Sequence, residues 1–353
     1  MINLQFAPVL SPEITAEHLG RLIVRGEIRD RDMDSRIARL GDRFRICSST
    51  CPHGLWAPGL ALTNEVRNAV ENYLPMADIR NTFHRFFSVS LGYPAATTKS
   101  AIDNSPTWFD ALQQLRPHVT GCDPAALLRR LMSEESFRIG FLFALFLPKR
   151  HGGGFNRYPG QVVFLRHWLM KRARVGIDRL RCLDAACATG ESTYELAMLL
   201  LENGMKSNSF MVHGSTIEPL ELFAAAHIFY PHDPKRQEAF RKTTEPVFAA
   251  GADKSMLFFT EDISRLLDVE RKDYDIILCN GLLGGPEFHT TADLGAAVSA
   301  LGSRLRKGGI LLAADRFHGG WKKSVPTSLL HEILTKSGFR VRDIGDGLAA
   351  EKI

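Results

Sequence analysis

The sequence predicts an α/β fold in its carboxyl-terminal half: a doubly wound, mostly parallel sheet, preceded by a mainly helical amino-terminal domain. Three observations predict it. From Arg179 onward, short apolar runs alternate with amphipathic stretches of helical period. Those runs are apolar without a break, as strands buried on both faces require. Ahead of them, apolar residues recur at helical spacing among charges, as in the 25-residue stretch from Ala16 to Leu40.

The bulk numbers agree. A chain of 353 residues accommodates two domains of ~100–200 residues each. At 45% apolar and 24% charged residues it can bury substantial cores. The net charge of +5 is spread over both halves with no basic tail, which argues against nucleic acid as the main partner. Six cysteines in a chain this long do not make a disulfide framework, so reduced thiols and a cytoplasmic setting are expected. The opening residues MINLQFAPVLSPEITAEH lack the basic and apolar regions of a signal peptide. The most apolar run, Ile139–Pro148, is too short to span a membrane and reads as a buried helix end.

In chain order, Leu62–Leu74 reads as a helix capped by Thr63 or Asn64. Another begins at Asp123, with Pro124 at its first helical position. Cys47, Cys51 and His53 are close enough in sequence to suggest zinc ligands. A fourth ligand and a second pair are missing nearby, so a loop with ordinary thiols is expected and no metal is assigned. The glycines of HGGGFNRYPG (151–160) place a domain boundary between residues 1–150 and 151–353. A helix, QVVFLRHWLMKRA, follows.

The strands expected next are RLRCLDAA, SFMVHGS, SMLFFT, YDIILCN and GGILLAAD. The intervening helices are STYELAMLLLENG, PLELFAAAHIFY and TADLGAAVSALGSRLRKG, with SLLHEILTKSG last. Ligands of such sheets sit at the carboxyl ends of the strands. After the first strand come Asp184, Ala186, Gly190 and Glu191, in a turn of small residues leading into a helix amino terminus. Small side chains let bare backbone approach a ligand, and the helix dipole favours an anionic group. Only Gly190 of a G-x-G-x-x-G fingerprint is present, which counts against a dinucleotide and an oxidoreductase. A nucleoside bearing a methionine zwitterion fits better: Asp184 and Glu191 would meet its ammonium. Thr216 and Glu218 end the second strand, where a carboxylate can hold ribose hydroxyls. Asp262 and Ile263 follow the third, placed for an adenine. Asn280 and Gly281 end the fourth, facing the sulfonium and the incoming substrate. The cofactor expected is therefore S-adenosylmethionine.

With these residues in place, the last ~200 residues resemble the CheR-type methyltransferases, which methylate chemoreceptor glutamates. The resemblance covers FNRYPGQVVFLRHWL, RLRCLDAACATGESTYELAMLLLE, GSTIEPLELFAAAHIFY, FFTEDISRLL, YDIILCNGLL and LGSRLRKGGILLAADRF, in the family's order. Ala186, Thr189, Gly190, Glu191, Tyr194 and Ala197 fit the family's first motif. Ser192 stands where the family has a glutamate, Asp262 where it has an asparagine, and Gly285 where it has a tyrosine. The family's N-x-T falls on His151 and Gly153 and is absent.

The resemblance implies a class I methyltransferase-like Rossmann fold and methyl transfer from S-adenosylmethionine to a protein carboxylate or a small molecule. It also implies that Arg157, from the family's F-F-R, lies near the transfer site, where paired hydrogen bonds could steer a carboxylate. His289, His318 and Asp315 are weaker candidates for bases and read better as surface or capping residues. The alternative is a cofactor-binding or partner-docking module that has lost transfer.

Overall fold

The computed structural model describes residues 3–50, 62–94, 100–116, 118–147, 154–173, 179–264, 274–285, 287–314 and 325–353. It divides into two compact units: Ser11–Leu147 with Tyr230–Gln237, and Met1–Leu10 with Pro148–Phe229 and Glu238–Ile353.

The first unit is helical: α1 (Pro12–Leu22), α2 (Arg31–Thr50), α3 (Asn64–Tyr73), α4 (Met76–Ser90), α5 (Ala101–Asn104), α6 (Trp108–Leu115), α7 (Pro124–Ser133) and α8 (Glu135–Phe146). Side-chain caps start several of these helices. Thr63 accepts from Val66 N, and Asp123 accepts from Ala125 N with Pro124 following it. Aromatic residues fill the core; Phe83 stacks on Trp108 at 5.8 Å between centroids and lies 6.3 Å from Phe141. Arg138 is fully buried there. Its guanidinium donates to the carbonyls of Val24 at 2.7 Å, Gly26 at 2.6 Å, Leu131 at 2.9 Å and Met132 at 3.3 Å. Cys47 is buried on α2, while Cys51 and His53 lie outside the described residues.

The second unit is built on eight strands: β1 (Gln5–Phe6), β2 (Leu180–Ala185), β3 (Phe210–Thr216), β4 (Met256–Thr260), β5 (Tyr274–Asn280), β6 (Leu305–Ala314), β7 (Phe339–Asp343) and β8 (Leu348–Lys352). Their order is β1-β4-β3-β2-β5-β6-β8-β7. β2 to β6 are mutually parallel, while β1 joins β4, and β8 joins both β6 and β7, antiparallel. The helices of this unit are α9 (Pro159–Ala173), α10 (Glu191–Glu202), α11 (Pro219–His227), α12 (Pro234–Ala249, entered from the other unit), α13 (Thr291–Ser303) and α14 (Thr327–Lys336). One core gathers Leu183, Ile277, Leu294, Leu301, Leu311 and their neighbours.

This is the doubly wound, mostly parallel sheet expected from the sequence. Strand order reverses direction between β2 and β5, so the crevice that such sheets offer to ligands opens beyond the carboxyl ends of those two strands. Several details differ from the sequence reading, the unexpected edge strand β1 among them. The helix expected to run to Gly308 stops at Ser303, and β6 begins at Leu305. There RLRKGG carries no strand alternation, and the pairing of β5 with β6 shifts register between Tyr274 and Ile276. β8, and α12 with Pro246 inside it, are additional.

Candidate functional site

The turn after β2 is where the backbone departs furthest from ordinary geometry. Ala186 has φ 69°, Ala188 φ 46° and Gly190 φ 87°. Left-handed alanines cost about 1 kcal/mol or more each, and such strain collects at ligand sites. The turn is held by Cys187 N–H donating to Ser215 O and Gly190 N–H donating to Cys187 O, both at 2.8 Å. Gly190 is the N-cap of α10 and has no side chain to satisfy the helix's first N–H groups. A Cβ at Gly190 would lie 2.9 Å from Ala225 Cβ and 3.2 Å from Phe258 Cε1. Glycine is therefore required there by conformation and by packing.

Around this turn sits a group of acids, buried at Asp184 and Glu191 and half-buried at Glu195. Asp184, 1% exposed, accepts from Ser192 Oγ at 2.6 Å and Thr193 Oγ1 at 2.7 Å. Burial pushes its carboxyl up to about 6, against the pull of those hydroxyls and with Glu191 adding repulsion. Glu191 is buried and accepts from Thr189 Oγ1 at 2.7 Å. Glu195, one turn further along α10, is pushed up to about 7 by burial, opposed by the Asn156 N–H that it accepts and reinforced by the charges of Asp184 and Glu191. No lysine or arginine among the described residues pairs with Asp184 or Glu195. A cation placed in this group would favour the ionised carboxylates and relieve their mutual repulsion.

The other strand ends supply polar groups at neighbouring positions. Thr216 Oγ1 donates to Glu221 Oε2 at 2.8 Å and accepts from Glu218 N at 3.3 Å. Glu218, 4% exposed, caps α11 by accepting from Leu220 N at 3.2 Å. Asp262 is half-buried, and its Oδ1 accepts from Ser264 N at 2.9 Å and Ser264 Oγ at 2.6 Å. Ile263 packs in the core with Leu283 and Phe288. Asn280 closes β5 and exchanges two hydrogen bonds with Gln161, at 2.8 and 2.9 Å. Gly281, with φ 69°, donates its N–H to Ala314 O at 2.8 Å.

The amino end of α9 is fixed against these strand ends twice, through Gln161 and through Gly160 N–H donating to Asp346 Oδ2 at 2.7 Å. Arg157 precedes α9, half-buried, with its guanidinium carbon 5.5 Å from the Tyr158 ring centroid. Its neighbour Asn156 makes the hydrogen bond to Glu195, which ties this turn to the acid group. His289 is exposed, and Asp315, His318, His151 and Gly153 lie outside the described residues.

The structure thus brings Asp184, Glu191, Ala186 and Gly190 together around one turn, with Thr216, Glu218, Asp262, Asn280 and Gly281 at adjoining strand ends. Sequence reasoning missed Glu195, Gln161 and Glu221. Glu195 carried a signal: it lies four residues after Glu191, on the same face of α10. Gln161 carried none, since its partner is 119 positions away.

An S-adenosylmethionine molecule fits what these residues offer. Its ammonium and sulfonium are positive, and among the described residues no lysine or arginine pairs with Asp184 or Glu195. The left-handed turn exposes bare main chain for its carboxylate end, and acids end the strand where its ribose would lie. A family match agrees with this. Residues 155–280 match the family model described as the CheR methyltransferase, SAM binding domain. Among curated proteins, the probable biofilm formation methyltransferase WspC of Pseudomonas putida is 37% identical over 78 residues, which is 22% of this chain and 18% of that protein. The match therefore spans less than a fifth of that relative. Among solved structures, magnesium protoporphyrin IX methyltransferase from Synechocystis PCC 6803 with bound SAM is 19% identical, covers 58% of this chain and 88% of that one, and has a TM-score of 0.36. The TehB-like SAM-dependent methyltransferase from Corynebacterium glutamicum is 14% identical over 55% of this chain and 97% of that one, at a TM-score of 0.32. Among the described residues, no helix is long and apolar enough to cross a membrane and no group of three or more potential ligands could hold a metal.

Proposed function

We propose that this chain, whose residues 155–280 carry a CheR-type S-adenosylmethionine-binding domain, is a methyltransferase that uses that cofactor. The observation that carries the reading is the acid group of buried Asp184 and Glu191 and half-buried Glu195 at the strand-order switch, set beside a turn of left-handed backbone. When bound, the cofactor supplies a methyl group on a positively charged sulfur, already activated for displacement. The chain then has to bind, align and exclude water, with reacting atoms held ~3–3.5 Å apart.

In this reading Asp184, Glu191 and Glu195 set the field that attracts the cofactor's positive end. Gly190 and Ala186 keep the backbone bare for it, while Thr216 and Glu218 hold the ribose. Asp262 and Ile263 face the adenine. Asn280 and Gly281 border the reacting sulfur, with Gln161 fixing the Asn280 amide. Arg157 orients the acceptor, and its guanidinium suits a carboxylate. A carboxylate acceptor is nucleophilic at neutral pH without a base, so a protein carboxylate is the first candidate and a small acid the second. The helical unit (residues 11–147) selects the acceptor. Among the described residues Cys122, Cys182, Cys187 and Cys279 are free thiols, which supports a cytoplasmic setting.

The test is incubation of the full chain with methyl-labelled cofactor and fractionated cell extract, followed by detection of base-labile label, the signature of a methyl ester. Label that depends on Arg157 supports the reading. Calorimetric binding of cofactor without transfer to any fraction would leave a docking module, and absence of binding would remove the proposal.

A further inference from the structure

A groove on the sheet unit lies apart from the strand-end acids. β7 is the edge strand, and alternation sends Arg340 and Arg342 to one face while Phe339 and Val341 turn to the core. On the same face, Glu351 and Ala349 of β8 pair with Arg340 and Arg342, and Ile310 of β6 lies beyond Glu351. The second half of α9 runs alongside, presenting Phe164, Trp168, Lys171 and Arg172. These elements enclose a groove of about 360 Å³. It shares Arg172, Arg340 and Glu351 with an adjoining hollow of about 460 Å³, lined also by Lys307 and Lys352.

Charge in this groove is one-sided. Four guanidinium or ammonium groups face one carboxylate, Glu351, whose Oε2 is 3.6 Å from Arg340 Nη1. Among the described residues, Lys171, Lys307 and Arg342 have no carboxylate partner. Two cations are fixed: Arg172 donates to Gly308 O and lies 4.7 Å from the Trp168 ring centroid, and Lys352 Nζ donates to Gly302 O and Leu305 O at 2.7 Å. Between the charges the floor is apolar, Ile310 and Ala349, and the wall aromatic, Phe164 and Trp168. Concentrated like charge around an apolar floor is unfavourable in isolation and is relieved by a complementary partner.

We propose that this groove docks an acidic polypeptide segment of a partner protein, carrying an apolar or aromatic anchor. Arg340 and Arg342 are spaced to meet acids at alternate positions of an extended chain, and edge strand β7 offers backbone for strand addition. Glu351 within the lining and the apolar floor favour a peptide over a phosphate backbone. The inference does not depend on methyl transfer.

The test is fluorescence anisotropy of a labelled peptide of about ten residues, alternating glutamate with serine around a central phenylalanine, titrated with the full chain. The expected result is salt-sensitive binding, weakened about tenfold or more by the double variant R340E/R342E and by K171E on the facing helix. Cofactor affinity should be unchanged, because all three side chains are exposed. R340Q/R342Q, which sets no glutamate opposite Glu351, should keep the melting temperature and still weaken peptide binding. The proposal is overturned if the peptide does not bind, or if binding survives these substitutions. It is equally overturned if a single-stranded oligonucleotide or phosphatidylserine vesicles compete better than the peptide for the same arginines.

Discussion

Two groups of buried charge, one in each unit, are handled in opposite ways. In the helical unit, Arg138 is enclosed completely, yet four carbonyl oxygens surround its guanidinium and belong to the segments that it joins. The charge is satisfied by the fold itself. In the sheet unit, Asp184 is buried and Glu195 half-buried among further carboxylates, and desolvation and repulsion push both up, to about 6 and about 7. Hydroxyls and one backbone N–H soften that cost without removing it. The first arrangement supplies carbonyl partners to both terminal nitrogens of Arg138 and leaves only its Nε without one; the second becomes favourable only when a cation arrives. A buried charge that its own fold satisfies marks structure, and buried charges of one sign left together mark a ligand of the other sign.

Substitutions should separate the two. The largest effect is expected at Gly190. Gly190→Val places a branched side chain at φ 87° against Ala225 and Phe258. It should lower stability by about 2–4 kcal/mol and cofactor affinity by ~100-fold or more. Thermal denaturation and calorimetry read the two effects separately, and unaltered cofactor binding would show that the turn is purely structural.

Arg138→Met comes next. It leaves four carbonyls without their donor and should cost about 3 kcal/mol in chemical denaturation while cofactor affinity stays the same. Asp184→Asn should do the reverse. A carboxyl raised in the folded state makes stability fall as pH rises from the unfolded value near 4 to about 6. The amide should therefore make the cofactor-free chain more stable than wild type at about pH 8, by roughly 1–3 kcal/mol, and equal to it near pH 4. Cofactor affinity should drop ~tenfold or more. If both variants lost stability and affinity together, the contrast between the units would fail. The smallest effect is expected from Gln161→Leu, which removes the amide pair with Asn280. A loss of about 1 kcal/mol and a several-fold slower transfer should follow, with little change in cofactor affinity.

Much of this was legible in the sequence where burial is two-sided. The runs at β2, β3, β4 and β5 are continuous and apolar because helices cover both faces of the sheet, and their ends point directly to Asp184, Thr216, Asp262 and Asn280. β8 was not legible: LAAEK is short and rich in small residues, and it becomes a strand only by pairing between β6 and β7. α12 was hidden by its charges and by Pro246. Within the site, the turn was readable from its small residues, but its left-handed alanines were not, since alanine does not advertise positive φ. Glu195 was readable only from its spacing to Glu191, whereas Gln161 was not, since its partner Asn280 is 119 positions away.

The most direct measurement is calorimetric titration of the full chain with S-adenosylmethionine at about pH 5.5 and about pH 7.5, in buffers of different ionisation enthalpy. Because Asp184 and Glu195 are protonated at the lower pH and ionised in the complex, binding should be weaker at pH ~5.5 and should release protons there. Asp184→Asn should reduce that release. No binding at about millimolar cofactor, or equal affinity at both pH values with no proton released, would contradict the account.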